Sequence, residues 1–210
     1  MTICDLVLNL LLAFLAVVAA LWYEALGAPR LIIENGKTTD DVKDNGRRTR
    51  FIHLTVLNNP RKAPFVTRQT AQAAHGTIEF LDAYRSSLSG RMPIRWDAAP
   101  EPVKYEAVGR RAILLPDPRL VRISRFIDIF PDERESLAVA IRIFGDYEAY
   151  GWTSESYFRD WRHPDFSLPL GALIARVRLA VGDTVVQKDV PFNNPGQFEE
   201  FDIVQLHGDA

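Results

Sequence analysis

Histidines are the residues of this sequence whose potential chemistry is easiest to state. His53 and His75 fall on outward positions of two predicted strands, where they could hold a metal ion together with Glu79. A zinc site needs three or four converging ligands, so two surface histidines are the better interpretation. The other two histidines add no ligand spacing. The chain also contains no nucleophile elbow, phosphate-binding loop, dinucleotide fingerprint or metalloprotease motif.

Acidic pairs and the cysteine supply no reaction either. Asp40 with Asp41, and Asp132 with Glu133, are neighbours in predicted loops, and such neighbours rarely hold the carboxylate spacing that glycoside hydrolysis needs. The single cysteine, Cys4, precedes the long apolar run, so the rest of the chain has no thiol for a disulfide, a zinc ligand or a nucleophile. A net charge of −2 argues against nucleic-acid binding. We therefore expect no catalytic residue, no cofactor and no metal.

The densest group of potential binding residues lies in segment 144–166, FGDYEAYGWTSESYFRDWRHPDF. Tyrosine, tryptophan and arginine are enriched at binding hot spots, and loops commonly carry recognition. The candidate partner-binding residues are Tyr147, Tyr150, Trp152, Tyr157, Trp161 and Arg162. The alternative is that the rings cover one end of the domain as part of its core, because aromatic side chains bury large areas. The sequence favours this alternative. If only two rings are exposed together, we expect them to be Trp152 and Trp161.

Residues 6–23, LVLNLLLAFLAVVAALWY, form an uncharged apolar run. At about 1.5 Å per residue, a helix of this length spans most of a ~30 Å hydrocarbon core. Trp22 and Tyr23 stand where aromatic residues of the membrane interface belong. A cleaved signal peptide would carry basic residues before a shorter apolar run, and no Lys or Arg precedes this one. We expect residues 1–29 to be a retained anchor that contacts the lipid bilayer through residues 6–23.

The charges that flank the apolar run predict the sidedness of the protein. No Lys or Arg precedes the run, whereas Arg30, Lys37 and Lys43 follow it closely. Because Lys and Arg near a membrane helix favour the cytoplasmic side, the large C-terminal domain is expected in the cytoplasm.

A further basic group, Arg47, Arg48, Arg50, Arg61 and Lys62, flanks the first main strand. These side chains could touch anionic headgroups if they lay near the membrane. Solvated loop charge is the favoured interpretation, because acidic residues at 40, 41 and 44 dilute the group.

Beyond the apolar run, the dominant period of the sequence is two, which is typical of half-buried β-strands. The alternation is clearest around residues 51–57, 74–82, 137–143 and 175–181. The run that ends at Val181 is followed by Gly182 and Asp183 and then by TVVQKDV, which predicts a β-hairpin with a tight turn. Further strands are predicted at 31–34, 92–97, 120–129 and 198–206, with loops at 37–48, 82–90 and 98–111. Residues 30–210 are therefore expected to form one all-β domain.

The segment LPLGALIARVRLAVGDTVVQKDVPFNN resembles the penultimate hairpin of immunoglobulin-like and fibronectin-type sandwiches, in which a Pro-x-Gly turn opens an alternating strand. The longer segment YGWTSESYFRDWRHPDFSLPLG is similar to segments of uncharacterised prokaryotic proteins with one N-terminal membrane helix. The resemblance implies an all-β fold, an immunoglobulin-like antiparallel β-sandwich preceded by one N-terminal transmembrane α-helix.

These features together favour a non-catalytic, membrane-anchored binding or structural module that is an accessory component of a membrane protein assembly. Its partners would be other membrane proteins. One alternative is a membrane-tethered hydrolase, which would show a cleft with convergent ionisable groups. Another is an exported carbohydrate-binding domain that grips sugars through Trp152 and Trp161.

Overall fold

The computed structural model describes residues 3–42, 46–101, 103–108, 111–123, 125–159 and 162–204. The helices are α1 (Ile3–Gly27), α2 (Pro118–Ile123) and α3 (Ser154–Arg159), with short 3-10 helices at Pro164–Phe166 and Phe198–Glu200. The strands are β1 (Leu31–Glu34), β2 (Thr38–Val42), β3 (Arg48–Asn58), β4 (Ala71–Asp82), β5 (Met92–Pro93), β6 (Arg95–Trp96), β7 (Val103–Val108), β8 (Arg111–Pro116), β9 (Ile127–Ile129), β10 (Arg134–Ile143), β11 (Ala149–Gly151), β12 (Ser167–Leu168), β13 (Gly171–Val181), β14 (Thr184–Asn194) and β15 (Asp202–Ile203).

The N-terminal helix α1 is long and apolar enough to cross a membrane, as the sequence predicts. Its 25 residues correspond to about 37 Å at 1.5 Å per residue. The apolar side chains of this helix are exposed, and its one buried residue is Gly27, at the end that joins the domain. An apolar surface of this extent has no partner within the domain.

The domain is built from antiparallel strands, which confirms the predicted strand-rich architecture. The first sheet has the order β1-β3-β10-β11-β12, with β2 also paired to β3 and β6 also paired to β10. It curls partway round the core. The second sheet has the order β15-β14-β13-β4-β5, with β9 also paired to β4. The β13–β14 hairpin closes at Gly182, whose φ of +52° suits glycine, so the predicted hairpin is confirmed.

A single cluster of buried apolar side chains joins the two sheets. Every second residue of β3 and β13 points into it, because successive side chains of a strand face opposite sides of the sheet. Phe80 and Phe192 meet in its centre with ring centroids 6.1 Å apart and edge-to-face geometry. The alternation predicted for 51–57 and 175–181 therefore identifies the core correctly.

The alternation predicted for residues 137–143 holds only in its first half. The register of β10 against β3 shifts between Ala138 and Ala140, so one extra residue, Val139, bulges from the ladder. After the bulge, Ala140 points to the core and Ile141 to the outer face. Residues 137–143 are all buried, because a later segment of the chain covers the outer face of β10.

Four other local predictions are wrong in whole or in part. The strand predicted at 198–206 begins as a 3-10 helix, Phe198–Glu200, and the described strand β15 covers only Asp202–Ile203. The first half of the strand predicted at 120–129 is helix α2, which begins at Pro118, a residue well suited to the first turn of a helix. The loops predicted at 37–48 and 98–111 contain β2 and β7. Both are strands at the border of the fold, where backbone pairing does not require alternating apolar side chains.

The ends of the domain differ. At one end, the fully buried Asn58 connects three segments: its Oδ1 accepts a hydrogen bond from Arg30 N at 3.1 Å, and its Nδ2 donates to Gln69 O at 3.1 Å and to Ile129 O at 2.9 Å. This end adjoins α1 and is called the helix end. The opposite end, called the far end, contains Arg48 at the start of β3. The 11 residues of β3 separate the two ends by about 35 Å.

Candidate functional site

Helix α3 lies over the outer face of the first sheet and begins with reciprocal side-chain caps. Thr153 Oγ1 accepts a hydrogen bond from Ser156 N at 3.1 Å, and Ser156 Oγ accepts one from Thr153 N at 2.8 Å. Thr153, Ser154 and Ser156 are fully buried, and Ser154 Oγ donates to Ile94 O at 3.4 Å. The first turn of α3 is thus fixed against the sheet, and it positions the aromatic residues on either side.

Two of the predicted site residues, Trp152 and Tyr157, form an aromatic cover on this face. The Trp152 ring meets Phe51 edge-on at 5.8 Å and Tyr157 at 5.2 Å. The guanidinium of Arg95 lies 4.9 Å from the Tyr157 ring centroid, a cation–π contact. Trp152 and Tyr157 are partly buried by this packing. Their arrangement favours the covering role that the sequence suggested for part of segment 144–166.

A polar group lies beneath and beside this cover. His53 Nδ1 is 2.7 Å from Asp97 Oδ2, a close polar contact that is not aligned as a hydrogen bond. Burial raises the pKa of Asp97, but the contacts with His53 and Ser136 and the charge of Arg95 outweigh it and hold the pKa below its usual value. Burial lowers the pKa of Arg95, against the opposing influence of Tyr157, Glu101 and Asp97. Asp97 therefore contacts His53 and Ser136 directly, whereas Arg95 acts on it from beyond ion-pair distance; these four residues are called the polar network.

Asp97 connects the members of this network, because it accepts a hydrogen bond from the hydroxyl of Ser136 and lies against His53. Among the described hydrogen bonds, none joins the Ser136 hydroxyl to His53, which is the contact that activates a serine nucleophile. His75, on the second sheet, packs against Phe126 at 5.3 Å. Within the described residues, no three His, Cys, Asp or Glu side chains converge to hold a metal.

Three more of the predicted residues, Tyr147, Tyr150 and Arg162, line a shallow cleft of about 330 Å³ at the far end. Tyr147 is 85% exposed, whereas Tyr150 is buried. Burial, together with the nearby charges of Glu148 and Asp146, raises the pKa of the Tyr150 hydroxyl. Arg162 Nη2 forms an ion pair with Asp146 Oδ2 at 2.9 Å. The cleft is thus rimmed by one projecting ring and one charged pair.

Next to the cleft, sequence-distant residues build a second feature that the sequence did not predict. Phe144 and Phe198 meet edge-to-face at 5.6 Å, and the Arg48 guanidinium lies over both rings, at 5.7 and 5.2 Å. Arg50 binds Asp40 through Nε at 2.5 Å and Nη2 at 2.8 Å. The basic residues 47, 48 and 50 therefore lie at the far end of β3, away from α1. Arg48 and Arg50 are separated from Phe198 by about three quarters of the sequence, so no local sequence pattern predicts this contact.

The remaining predicted site residues are at the helix end or outside the described residues. Trp22 and Tyr23 are exposed near the end of α1, and Tyr23 Oη donates to Phe65 O at 2.5 Å. Trp161 lies outside the described residues. Only Tyr147, Tyr150 and Arg162 converge on one cleft, whereas Trp152 and Tyr157 share the cover beside it.

The chain matches no protein-family model, no curated protein and no solved structure. A functional conclusion therefore depends on the geometry of the two ends of the domain and on the helix that precedes it.

Proposed function

We propose that this chain is a single-pass membrane protein whose domain is a non-catalytic binding module, an accessory component of a membrane protein assembly. The anchor comprises residues 1–29, and residues 30–210 form an immunoglobulin-like β-sandwich on the cytoplasmic side. The observation that carries the proposal is that the two ends of the domain differ. An apolar helix leaves the domain at one end, and an exposed aromatic surface lies at the other.

Support for the anchor comes from helix α1. Its apolar side chains are exposed along the whole length, and water would penalise that surface at roughly 25 cal/mol per Å². Only a bilayer or other apolar helices would cover it. Arg30 and Lys37 follow the helix on the domain side, which supports a cytoplasmic domain.

The sandwich assignment is supported by two antiparallel sheets that share one core and by the β13–β14 hairpin that follows Pro169 and Gly171. In such folds, the loops at one end commonly carry recognition.

Binding is assigned to the far end because exposed rings gather there. Tyr147 and Phe144 project from the loop after β10, and Tyr84, 91% exposed, projects from the loop after β4. Rigid aromatic side chains provide contact area at low entropic cost and dominate interface energetics. In the polar network, no described hydrogen bond joins Ser136 to His53 as the serine and histidine of a hydrolase would be joined, which supports binding over catalysis.

Photo-crosslinking of the full-length protein in its own membranes tests the binding surface. A photoreactive phenylalanine analogue is placed at Tyr147 and, as a control, at Val185, an exposed residue near the opposite end of the domain. We expect one dominant crosslinked membrane protein from Tyr147 and none from Val185. The substitution Tyr147→Ala should weaken co-purification of that protein about tenfold or more, as expected of a hot spot. Equal crosslinking from both positions, or none, would contradict the proposal.

Sidedness is tested with a thiol. Cys4→Ser leaves the chain without cysteine, and Val185→Cys then introduces one exposed thiol outside the proposed binding surface. A membrane-impermeant maleimide should label this thiol only after the cells are permeabilised. Labelling of intact cells would place the domain outside.

A further inference from the structure

The loop between β3 and β4 is attached to the end of helix α1. Its residues 61–68, here called the juxtamembrane loop, receive the hydrogen bond from Tyr23 Oη at the carbonyl of Phe65. Just beyond the loop, Gln69 N donates to Gly27 O at 2.9 Å. A Cβ at Gly27 would lie 2.4 Å from Thr67 O, so the last turn of the helix touches the loop backbone with no intervening space. Helix and loop therefore form one unit.

At the tip of this loop, the ring of Phe65 projects away from the described part of the domain. Its side chain is 96% exposed, and its backbone adopts φ of +65°, a region that residues other than glycine seldom occupy. Such outliers persist where the surrounding structure enforces them and often mark functional positions. The conformation turns an aromatic ring outward at a cost in free energy, next to the helix that is proposed to enter the membrane.

A second exposed ring, Phe130, lies on the adjoining turn at the helix end. The turn and the loop are connected by an ion pair between Arg68 and Asp132. The hydrogen bond from Arg68 holds the pKa of Asp132 below its usual value. Lys62 also lowers the pKa of Asp132, but the three cations Arg61, Lys62 and Arg68 outnumber this one carboxylate, so the loop keeps a net basic surface.

The position of the juxtamembrane loop relative to the bilayer follows from the length of helix α1. The 25 residues of α1 extend about 37 Å, against roughly 30 Å of hydrocarbon. Tyr23 lies one turn before the end of the helix, where interfacial aromatic residues are typically found. Because Tyr23 contacts the backbone of Phe65, the tip of the loop is at headgroup level when the helix spans the bilayer.

We propose that the juxtamembrane loop is a second membrane contact specific for anionic lipid. Phe65 inserts into the interface, and Arg61 and Lys62 bind the phosphate or carboxylate groups of anionic headgroups. Two observations select lipid as the occupant: the continuity of the loop with the helix and the complementary charge of its cations. The contact holds the long axis of the domain at a fixed tilt, so that the far end projects into solvent. The inference rests on the proposed membrane anchor.

Spin labels on the full-length protein test this contact. In a Cys4→Ser background, a nitroxide is attached at Phe65→Cys or, as a control of matched exposure at the far end, at Tyr84→Cys. A third variant, Leu15→Cys, reports whether the middle of α1 lies in hydrocarbon. Each protein is reconstituted in nanodiscs of phosphatidylcholine alone or with added phosphatidylglycerol. Accessibility to oxygen and to a water-soluble nickel chelate gives the depth of each label.

We expect the label at 65 to be shielded from nickel and accessible to oxygen, and the label at 84 to show the opposite. Shielding at 65 should increase with phosphatidylglycerol, and Arg61→Glu with Lys62→Glu should abolish that increase. If the label at 15 is deep but the label at 65 is as accessible to nickel as the label at 84, the lipid contact is wrong while the anchor stands. A label at 65 shielded from both reagents would indicate a protein neighbour and overturn lipid as the occupant. A label at 15 that is accessible to nickel would instead refute the anchor itself.

Discussion

Among the described residues, the two buried arginines, Arg95 and Arg142, should differ sharply in their contribution to stability. Arg142 is 2% exposed, and its guanidinium donates to Asn194 Oδ1 at 3.1 Å, Gly196 O at 2.9 Å and Gln197 O at 3.3 Å, and also to Pro195 O. These acceptors lie at the last residue of β14 and directly after it, so this one side chain holds the far end of the second sheet against the first.

Replacing Arg142 with Met would leave those oxygens without their donor. Hydrogen bonds to a charged group are worth about 1.5–3 kcal/mol each, but their contributions do not add, and water would reach some of the exposed loop carbonyls. Burial of the guanidinium, which lowers its pKa, offsets part of the gain. We therefore expect Arg142→Met to lower the free energy of unfolding by about 3 kcal/mol.

Arg95 provides the matched comparison. It is 6% exposed, yet its Nη1 has no hydrogen-bond partner, and no carboxylate among the described residues forms an ion pair with it. Its main compensation is the contact with Tyr157, worth about 1–2 kcal/mol for a desolvated cation–π pair. Methionine keeps the volume and can contact the ring through sulfur. Arg95→Met should therefore change the stability by less than about 1 kcal/mol.

Urea denaturation of the full-length protein in detergent, followed by tryptophan fluorescence, measures both effects. With an m-value of about 2 kcal/mol/M, Arg142→Met should lower the midpoint by about 1.5 M and Arg95→Met by under 0.5 M. The m-value itself should not change. Equal losses in the two variants, or a larger loss for Arg95→Met, would refute the idea that hydrogen-bond count decides the contribution of a buried arginine here.

Two further predictions concern the first sheet. The pKa of Asp97 is lowered in the folded state, so its stabilising effect is complete above about pH 4 and is lost as the pH falls through the folded-state pKa. Asp97→Asn should therefore lower the free energy of unfolding by about 1 kcal/mol at neutral pH. In acid denaturation series this difference should disappear below about pH 4, and a difference that persisted there would refute the reasoning. A Cβ at Gly36 would lie 1.6 Å from His53 O, so Gly36→Ala should lower the free energy of unfolding by about 3 kcal/mol in the same urea assay. Gly90 has open space around it, so Gly90→Ala should change this free energy by less than about 0.5 kcal/mol. Similar effects of the two substitutions would show that Gly36 packs less tightly against β3 than described.

Those parts of the fold that depend on local periodicity were predictable from the sequence. The apolar helix follows from an unbroken apolar run, and the β13–β14 hairpin follows from apolar–polar alternation on either side of a glycine turn. The prediction failed where burial did not follow the local period. At β10, the bulge at Val139 reverses the faces, and the cover over the outer face buries both of them. At β2, polar residues pair through their backbone alone, which leaves no periodic signal.

The candidate site was predictable only in part, because its contacts join residues that are distant in sequence. The composition of segment 144–166 identified Tyr147 and Tyr150 as site candidates, but could not divide the segment into a buried cover and an exposed rim. That division depends on Phe51 and Arg95, which reach the segment across the sheet. The pairing of His53 with Asp97 likewise needs β6 to lie beside β10, which no spacing of residues in the chain encodes.

The exposed rings at the two ends of the domain differ in their electrostatic surroundings. At the far end, the cations Arg48 and Arg50 are paired with acidic residues or lie over rings, so Tyr147 projects from a locally neutral surface. At the helix end, Phe65 lies in a loop that carries Arg61, Lys62 and Arg68, and the described contacts set only Asp132 against these three cations. An anionic bilayer would attract the second surface and be indifferent to the first. Under the proposed lipid contact, this charge pattern directs the helix end towards the bilayer and leaves the far end, with its aromatic surface, open to the proposed partner.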